Sequence, residues 1–411
     1  MRFMKIAALL FAVACLPVVS HAAGVQLSSS TRYLWYQDFL SPDQDQDELA
    51  EYLRLNATDL DKDGKVSLFG YGRAIKQFSD SIEDRPELGD KAYGRLYYLY
   101  LDWRDVIKDR LDLRAGRTYV HTAAVSGTVD GGYVDLKKLG PLGATVFGGR
   151  RVLFDNKSEV GNGDDSLVGG TVYFNTEKYY THVEASYGRK YAESDLAREN
   201  VGLDLSSTPH ERVNVIGRLQ YDMVVDEFSE ILLGLNVVPL KDLVLRPEYY
   251  RSRPTFDKFS FFRFFNVNDY EQLSVSGEYF LTVDYRVQVR YAYEDFGDGE
   301  TADLYNVGLL ARPIKGLALE GNYEKRNGFA GALDGFRFQG AYGIRQATVS
   351  AGVDYDDFRR EASREGTAKK YWAGLAYAFN KTFSVAGRFE RNKNFTFGHA
   401  DQGFVAINVN L

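Results

Sequence analysis

Hydrophobic and polar residues alternate one by one along the segment YWAGLAYAFNKTFSVAGRFERN, which runs from Tyr371 to Asn392. A turn at Asn380, Lys381 and Thr382 separates two arms. One face of each arm is apolar with aromatic ends, and the other is small or charged. This period of two predicts a hairpin of two strands. An apolar face opposite a charged face fits a soluble sandwich, in which the charged face meets bulk water, or a membrane barrel, in which it meets a water-filled interior.

The same alternation recurs from Gly24 to Leu411 and predicts about 22 strands, within a range of about 16 to 22. Short turns alternate with longer polar connections, such as Phe78 to Lys91 and Asp155 to Asp165. Short turns on one rim and longer loops on the other are typical of bacterial outer-membrane barrels. No linker divides the chain into the two or three sub-domains that a soluble β protein of this length would need. The sequence therefore favours an all-β fold, with one transmembrane antiparallel up-and-down β-barrel over residues 24–411.

Composition agrees with a barrel in a membrane. The mean hydropathy of the 411 residues is −0.33, as expected where every second strand residue faces water. The 29 Tyr and 27 Phe supply aromatic side chains for the membrane interfaces. With 50 basic and 57 acidic residues, the charge balance gives no indication of nucleic-acid binding.

The first 23 residues have the features of a cleaved secretory signal peptide. Arg2 and Lys5 precede an apolar run, which ends before the small residues around Ala22. Export through such a leader is expected. Cys15, the only cysteine, lies inside it, so the mature chain is predicted to hold no disulfide, no thiolate nucleophile, no cysteine-bound zinc and no haem attached through a CxxCH motif.

Candidate chemistry is sparse in the mature chain. Its histidines are scattered along the sequence and do not form a metal-binding pattern, and no Ser/His/Asp arrangement is present; these histidines are His121, His182, His210 and His399. The sequence therefore predicts a protein that is not an enzyme and that holds no cofactor of its own.

The final strand, FVAINVNL, places Val405, Ile407, Val409 and Leu411 on one face. With this strand and the alternation that precedes it, the mature chain resembles Gram-negative outer-membrane β-barrels of the porin type, whose last strand is read by the barrel-assembly machinery. The resemblance implies an outer-membrane location, a channel function, and outer-membrane lipid and that machinery as partners. The family usually ends in Phe, whereas this chain ends in Leu411, a difference that bears on assembly efficiency and not on the fold.

The sharpest short motif is DLDKDGKVSLFG, which supplies Asp59, Asp61, Asp63 and Gly64 of a calcium loop. The twelfth position, which should be a bidentate Glu, is Gly70, and the flanks have the period of strands. The sequence favours a β-turn with Asp and Gly at its sterically demanding positions. Weak calcium binding at the rim stays open as the alternative.

Charged residues recur on the inward faces of the predicted strands. They are candidates for a wet pore lining, because arginines and carboxylates on facing walls create a field across a channel. The alternative is that neighbouring charges only neutralise one another and stiffen the wall. The candidates are Asp112, Arg114, Arg286, Gln288, Arg290, Glu294, Glu320, Glu324, Arg388 and Glu390.

The longest predicted connection, Pro254 to Tyr270, contains six phenylalanines around two cations. Exposed aromatic residues in a polar loop usually mark a contact surface. This loop is a candidate for a constriction inside the lumen, for an outer surface loop or for a docking site. Its key residues are Lys258, Arg263, Phe261 and Phe264.

A wall of about 22 strands, with ~4.8 Å between strands and a tilt near ~40°, is roughly 40 Å across, too wide for side chains to close. Either the strands are fewer, or loops narrow the opening, or another protein fills it. The first two alternatives predict a porin-like channel that gives small polar or charged solutes a water-filled path, and the sequence favours this function. The third resembles the barrel subunit of a porin–cytochrome conduit, in which the barrel encloses a multihaem cytochrome or another lumen-filling protein and the haems carry the electron transfer.

Overall fold

Twenty-two β-strands form the described part of the chain. The computed structural model describes residues 24–37, 45–78, 92–153, 164–258, 268–329, 331–360, 364–394 and 398–411. The strands are β1 (Gly24–Gln37), β2 (Asp45–Thr58), β3 (Val66–Gln77), β4 (Ala92–Ile107), β5 (Leu111–His121), β6 (Ser126–Leu139), β7 (Leu142–Arg151), β8 (Ser166–Thr176), β9 (Thr181–Ala192), β10 (Asp195–His210), β11 (Val213–Asp222), β12 (Glu227–Leu240), β13 (Leu243–Ser252), β14 (Tyr270–Thr282), β15 (Tyr285–Asp295), β16 (Thr301–Ala311), β17 (Leu317–Gly328), β18 (Ala332–Ile344), β19 (Ala347–Arg360), β20 (Arg364–Ala378), β21 (Phe383–Lys393) and β22 (Ala400–Asn410).

The sheet closes on itself. Each strand pairs antiparallel with the next one along the chain, and β1 pairs with β22 in a register that places Tyr33 opposite Val405. Backbone bonds from Leu27 N to the carbonyl of Leu411 and from Leu411 N to the carbonyl of Leu27, 3.0 and 2.8 Å, extend this seam to the last residue. Closure leaves no edge strand, as a sheet in hydrocarbon requires. The predicted up-and-down barrel is confirmed, with the strand number at the top of the predicted range.

The two faces of the wall separate as the alternation predicts. Tyr371 and Leu375 of β20 expose 49% and 55% of their surface on the outer face. Trp372, between them, faces inward and lies under the guanidinium group of Arg388, 4.1 Å from the ring centre. The outer face is therefore the apolar one, and it lies against hydrocarbon in a membrane.

The two rims differ in the length of their connections. The rim that holds both described ends of the sheet has mostly tight turns, such as residues 140–141, 211–212 and 283–284. The strand ends that flank the three longest connections, residues 78–91, 152–165 and 253–269, lie at the opposite rim. The predicted asymmetry is present but incomplete, because the seven-residue connection 59–65 lies on the turn rim and the two-residue connection 193–194 lies on the loop rim.

Outward tyrosines near the loop rim bind carboxylates of the neighbouring strand. Tyr33 donates to Asp47 at 2.9 Å, Tyr291 to Asp303 at 2.6 Å and Tyr323 to Asp334 at 2.6 Å. An aromatic ring with a polar tip is suited to the boundary between hydrocarbon and water. These bonds mark the upper edge of the apolar band. None of the helical segments that the structure describes is long and apolar enough to cross a membrane.

Candidate channel lumen

All ten predicted pore-lining residues lie on the inward face of their strands. For example, Asn306 of β16 lies opposite Arg290 of β15 on one side and opposite Glu324 of β17 on the other, and all three face inward. The adjacent pair, Val289 and Val307, faces outward. Val289 and Val307 each expose 50% of their surface. The inner wall is therefore charged, and the role of these ten residues in lining a pore stays a prediction.

The inward charges bind close neighbours on the same side of the wall. Arg286 Nη1 and Arg246 Nη1 lie 3.4 and 2.6 Å from the two carboxylate oxygens of Glu278. Arg326 binds Glu294 at 2.9 Å, and other predicted candidates are partnered in the same way: Arg114 with Asp102, Asp112 with Lys137, Glu324 with Arg337, Arg388 with Glu390, Glu320 with Gln339 and Arg290 with Gln272. For these residues, the geometry favours the alternative in which neighbouring charges neutralise one another.

The connection between β5 and β6 folds into the barrel, a feature that the sequence did not indicate. The β4–β5 ladder ends at the pair Leu99–Arg117, whereas the β5–β6 ladder continues to His121–Ser126. The tip of this hairpin therefore leaves the wall beside β4. At the bend, Arg117 binds Asp130 through two bonds of 2.7 and 2.8 Å and the carbonyl of Leu96 at 3.0 Å, which ties β4, β5 and β6 together.

The tip of this inner hairpin, residues 122–125, lies on the inner surface of β9, β10 and β11. Ala124 N donates to Ser186 Oγ at 3.0 Å, and its carbonyl accepts bonds from Asn200 at 2.9 Å and Gln220 at 3.1 Å. These polar side chains satisfy backbone groups that would otherwise lack partners inside a buried contact. The hairpin is thus fixed to one side of the lumen.

Glycines in the wall make room for the inner hairpin. A Cβ on Gly202 would lie 2.5 Å from Ala123, and a Cβ on Gly188 would lie 2.4 Å from Val125. Beneath the tip, Val120, Val125, Val129, Phe147 and Leu167 form a buried apolar cluster. The signal available in the sequence was the glycines at inward positions of β9 and β10.

The start of the long β13–β14 connection lies across the loop-side mouth of the barrel. Asp257 binds Arg198 of β10 at 3.0 Å and reaches Arg151 of β7 at 3.7 Å, and the backbone N–H of Lys258 donates to Ala197 at 2.9 Å. These partners belong to strands three and six positions away from β13 around the wall. The first part of the aromatic loop is therefore directed over the lumen.

Arg263, Phe261 and Phe264 lie outside the described residues. Whether the aromatic loop constricts the lumen or docks a partner stays a prediction, and so does a multihaem cytochrome or another protein inside the barrel.

The segment that holds the candidate calcium ligands forms a turn. Asp61 Oδ1 accepts the backbone N–H groups of Lys65 at 2.6 Å and Val66 at 2.9 Å, and the Asp61 carbonyl accepts the N–H of Gly64 at 3.2 Å. The hydrogen bond from Val66, followed by that from Lys65, lowers the pKa of the Asp61 carboxyl. Among the described residues, no three His, Cys, Asp or Glu side chains are grouped to hold a metal ion. This geometry agrees with the β-turn interpretation of Asp59, Asp61 and Asp63.

Comparison with known proteins shows a likeness of fold. No protein-family model matches the chain, and no curated protein matches it. The P pilus usher (PapC) translocation pore is similar in structure, with a TM-score of 0.55 and 8% identity over 93% of this chain and 99% of that one. Two further solved structures give lower TM-scores. OpdQ of Pseudomonas aeruginosa gives 0.49 with 13% identity over 95% and 99% of the two chains, and a BenF-like porin of Pseudomonas fluorescens Pf-5 gives 0.44 with 11% identity over the same shares. At the level of the fold, the described part of the chain is a closed antiparallel up-and-down β-barrel of 22 strands, similar in architecture to the PapC pore.

Proposed function

We propose that this protein is an outer-membrane channel that gives small polar or charged solutes a water-filled path. The observation that carries the proposal is a closed wall of 22 strands whose inward face is charged on strand after strand. Charged side chains need water or partners, and a barrel of this strand number is too wide for side chains to fill. Water in the interior solvates the charged side chains and fills the space that side chains leave.

Two inward features narrow this path without crossing the whole lumen in the described part of the chain. The inner hairpin lies along β9–β11, and residues 253–258 lie across the mouth toward β10 and β7. We infer a pore that is off-centre and narrower than the wall. A channel rather than an enzyme is proposed, because the inward charged groups that the structure describes are engaged in ion pairs and hydrogen bonds spread along the wall and are not gathered into one site.

Export and location belong to the same proposal. Residues 1–23 are removed as a signal peptide, and the assembly machinery inserts the mature barrel into the outer membrane, where lipid surrounds it. The N-terminal sequence of protein purified from outer membranes tests both statements. A mature chain that begins near Gly24 is expected, and a retained leader would contradict them.

Electrical recording tests the channel. Mature protein purified in detergent and inserted into a planar lipid bilayer is expected to give stable, stepwise ionic conductance. A silent or erratic barrel that co-purifies with haem absorbance would contradict the channel and favour the electron-transfer conduit. Hydrolysis of lipid or ester substrates is expected to stay at the level of a protein-free control.

A further inference from the structure

Three inward arginines on neighbouring strands differ from the rest of the charged wall. Arg32 of β1, Arg54 of β2 and Arg73 of β3 form no ion pair with a carboxylate anywhere in the described residues. Elsewhere on the inner wall, arginines such as Arg246 and Arg326 lie within 3 Å of a glutamate oxygen. These three inward positions therefore carry positive charge that no carboxylate of the described residues pairs with.

Each of these arginines lies over a tyrosine ring. The guanidinium carbon of Arg32 is 4.9 Å from the ring centre of Tyr52, and that of Arg54 is 5.1 Å from the ring centre of Tyr71. Arg73 is 6.0 Å from the ring centres of both Tyr93 and Tyr97. An arginine held by the flat face of its guanidinium can direct its remaining in-plane N–H groups to a ligand, and these groups match the geometry of carboxylate and phosphate oxygens. Arg32 uses its Nε to donate to Ser30 Oγ at 3.1 Å, and Arg73 donates one hydrogen bond to the hydroxyl of Tyr52.

Register brings the three arginines into one patch. Arg73 lies directly opposite Tyr52, whose ring lies beneath Arg32, and Arg54 lies directly opposite Tyr71, two residues before Arg73. With about 4.8 Å between neighbouring strands, the backbones of β1 and β3 are separated by about 10 Å, a span that two arginine side chains can bridge. Arg32 and Arg54 are exposed on the inner wall.

Arg73 contributes a second observation. Its Nε is buried and donates to no oxygen in the described part of the chain, as is also the case for Arg286 and Arg326, but those two arginines bind a glutamate through Nη and Arg73 does not. A buried donor of this kind is costly to leave unsatisfied, and it is normally found where a water, an ion or a ligand supplies the missing acceptor.

We propose that Arg32, Arg54 and Arg73 form a binding site for the phosphate group of a solute that enters the lumen. A phosphate monoester carries about two negative charges near pH 7 and three acceptor oxygens, which suit three arginines that lack a carboxylate partner. A single carboxylate would leave two of the three positive charges without a counter-charge. The site rests on the proposed channel, because phosphate reaches it through the lumen.

The experiment records current through single barrels in planar bilayers in potassium chloride. Inorganic phosphate, glucose 6-phosphate, potassium acetate and glucose are added in turn. Inorganic phosphate and glucose 6-phosphate are expected to block the current, at concentrations at least ten-fold below acetate, and glucose is expected to have no effect. Inorganic phosphate probes the group itself, and the ester probes a phosphorylated solute.

Variants separate the site from general attraction of anions. The triple variant R32Q/R54Q/R73Q is expected to raise the half-blocking concentration of both phosphates at least ten-fold. Arg73→Lys keeps the charge but removes the planar donor pair, and it is expected to raise that concentration several-fold. Arg391→Gln, on the outward face, is the matched control and is expected to leave the block unchanged. Block by glucose 6-phosphate should weaken below about pH 6, where the ester loses its second charge.

Calorimetric titration of the detergent-solubilised barrel with inorganic phosphate gives a readout that does not depend on conduction. Heat of binding that disappears in the triple variant supports the site. Circular dichroism of each variant shows whether the barrel has formed. Equal block by acetate and phosphate, or an unchanged block in the triple variant, would overturn the site while leaving the channel in place. A barrel that does not conduct would overturn the proposed function, and titration would then decide the site alone.

Discussion

At the scale of single residues, the interior of this barrel depends on glycines, which leave space, as much as on polar side chains, which form hydrogen bonds. Gly188 and Gly202 leave the space into which the tip of the inner hairpin packs. Asn200 and Gln220 supply the amide donors that hold its backbone. The position of the hairpin is therefore set by a few inward residues of β9, β10 and β11.

Gly202→Val is expected to displace the inner hairpin, because the new Cβ would lie 2.5 Å from Ala123. With the tip detached, the lumen should widen, and single-channel conductance should rise. Gly217→Val is the matched control, because a Cβ there faces outward and its nearest neighbour is 3.6 Å away. Equal conductance of the two variants would show that the hairpin does not limit the current.

Glu51 of β2 faces outward between Leu49 and Leu53 and breaks the apolar pattern of that strand. Glu51 lies opposite Thr31, which in turn lies opposite the outward Ile407, and its carboxylate accepts bonds from Ser29 and Thr31, both 2.5 Å long. A charge facing hydrocarbon is unfavourable even when it is hydrogen-bonded.

Glu51→Gln keeps a hydrogen-bonding group and removes the charge, so the folded barrel is expected to gain about 1 kcal/mol. Reversible unfolding by guanidinium in lipid vesicles measures this change. A loss of stability would contradict this expectation and show that the hydrogen bonds from Ser29 and Thr31 to the carboxylate outweigh the cost of its charge.

At the scale of elements, the turns hold their conformation through local carboxylates and amides. In the hairpin that joins β20 to β21, Asn380 Oδ1 accepts the N–H groups of Thr382 and Phe383 at 2.8 and 2.7 Å. Asp61 does the same for Lys65 and Val66 between β2 and β3. Side chains of this kind fix a strand connection without any metal ion.

The lowered pKa of Asp61 makes the stability of its turn dependent on pH. Because the folded-state pKa lies below the unfolded one, the contribution is fully present above the unfolded value near 4 and is lost as the pH falls through the folded value. Asp61→Asn should abolish this dependence. Hydrogen exchange of the Lys65 and Val66 amides between pH 5 and pH 2 measures this pH dependence in the wild type and in the variant. Addition of calcium at neutral pH should leave the exchange of these amides unchanged. Calcium-dependent protection would favour the metal site instead.

The elements also show where sequence reasoning succeeds and where it ends. The strands and their faces were predictable, because lipid on one side and water on the other impose a period of two on each strand. The inward bend of β5 and β6 was not, because four residues between strands resemble any short loop until Ser186 and Asn200 are brought beside them by the closed sheet. The contact of Asp257 with Arg198 was equally hidden, because it joins the β13–β14 connection to β10, which is distant in sequence.

At the scale of the whole molecule, the barrel is a partition between two solvents, and each side of the wall tolerates different changes. The outward pair Val289 and Val307 lies among apolar side chains, whereas Asn306, next to Val307, faces inward, where it binds Asn322 at 2.8 Å. Substitutions at neighbouring positions of β16 therefore test which face of the wall meets lipid and which meets water.

Val307→Arg is expected to destabilise the barrel by about 2–4 kcal/mol, the cost of a cation near the middle of the bilayer. Asn306→Arg is the matched control, because Glu324 lies directly opposite it on the wet side, and it is expected to assemble at the wild-type level. Amounts of folded protein in purified outer membranes compare the two. Equal losses would contradict the assignment of the faces.

The inner hairpin is joined at both ends to strands of the wall, with no hinge of free chain between them, since Val129 still pairs with Arg151 on β7. It therefore cannot be expelled or exchanged in the way that a separate plug domain can. Detaching the tip alone can widen the pore, but removing the whole hairpin from the lumen would require the backbone bonds between β4 and β5 and between β6 and β7 to break together. The width of the pore is thus tied to the stability of the barrel itself.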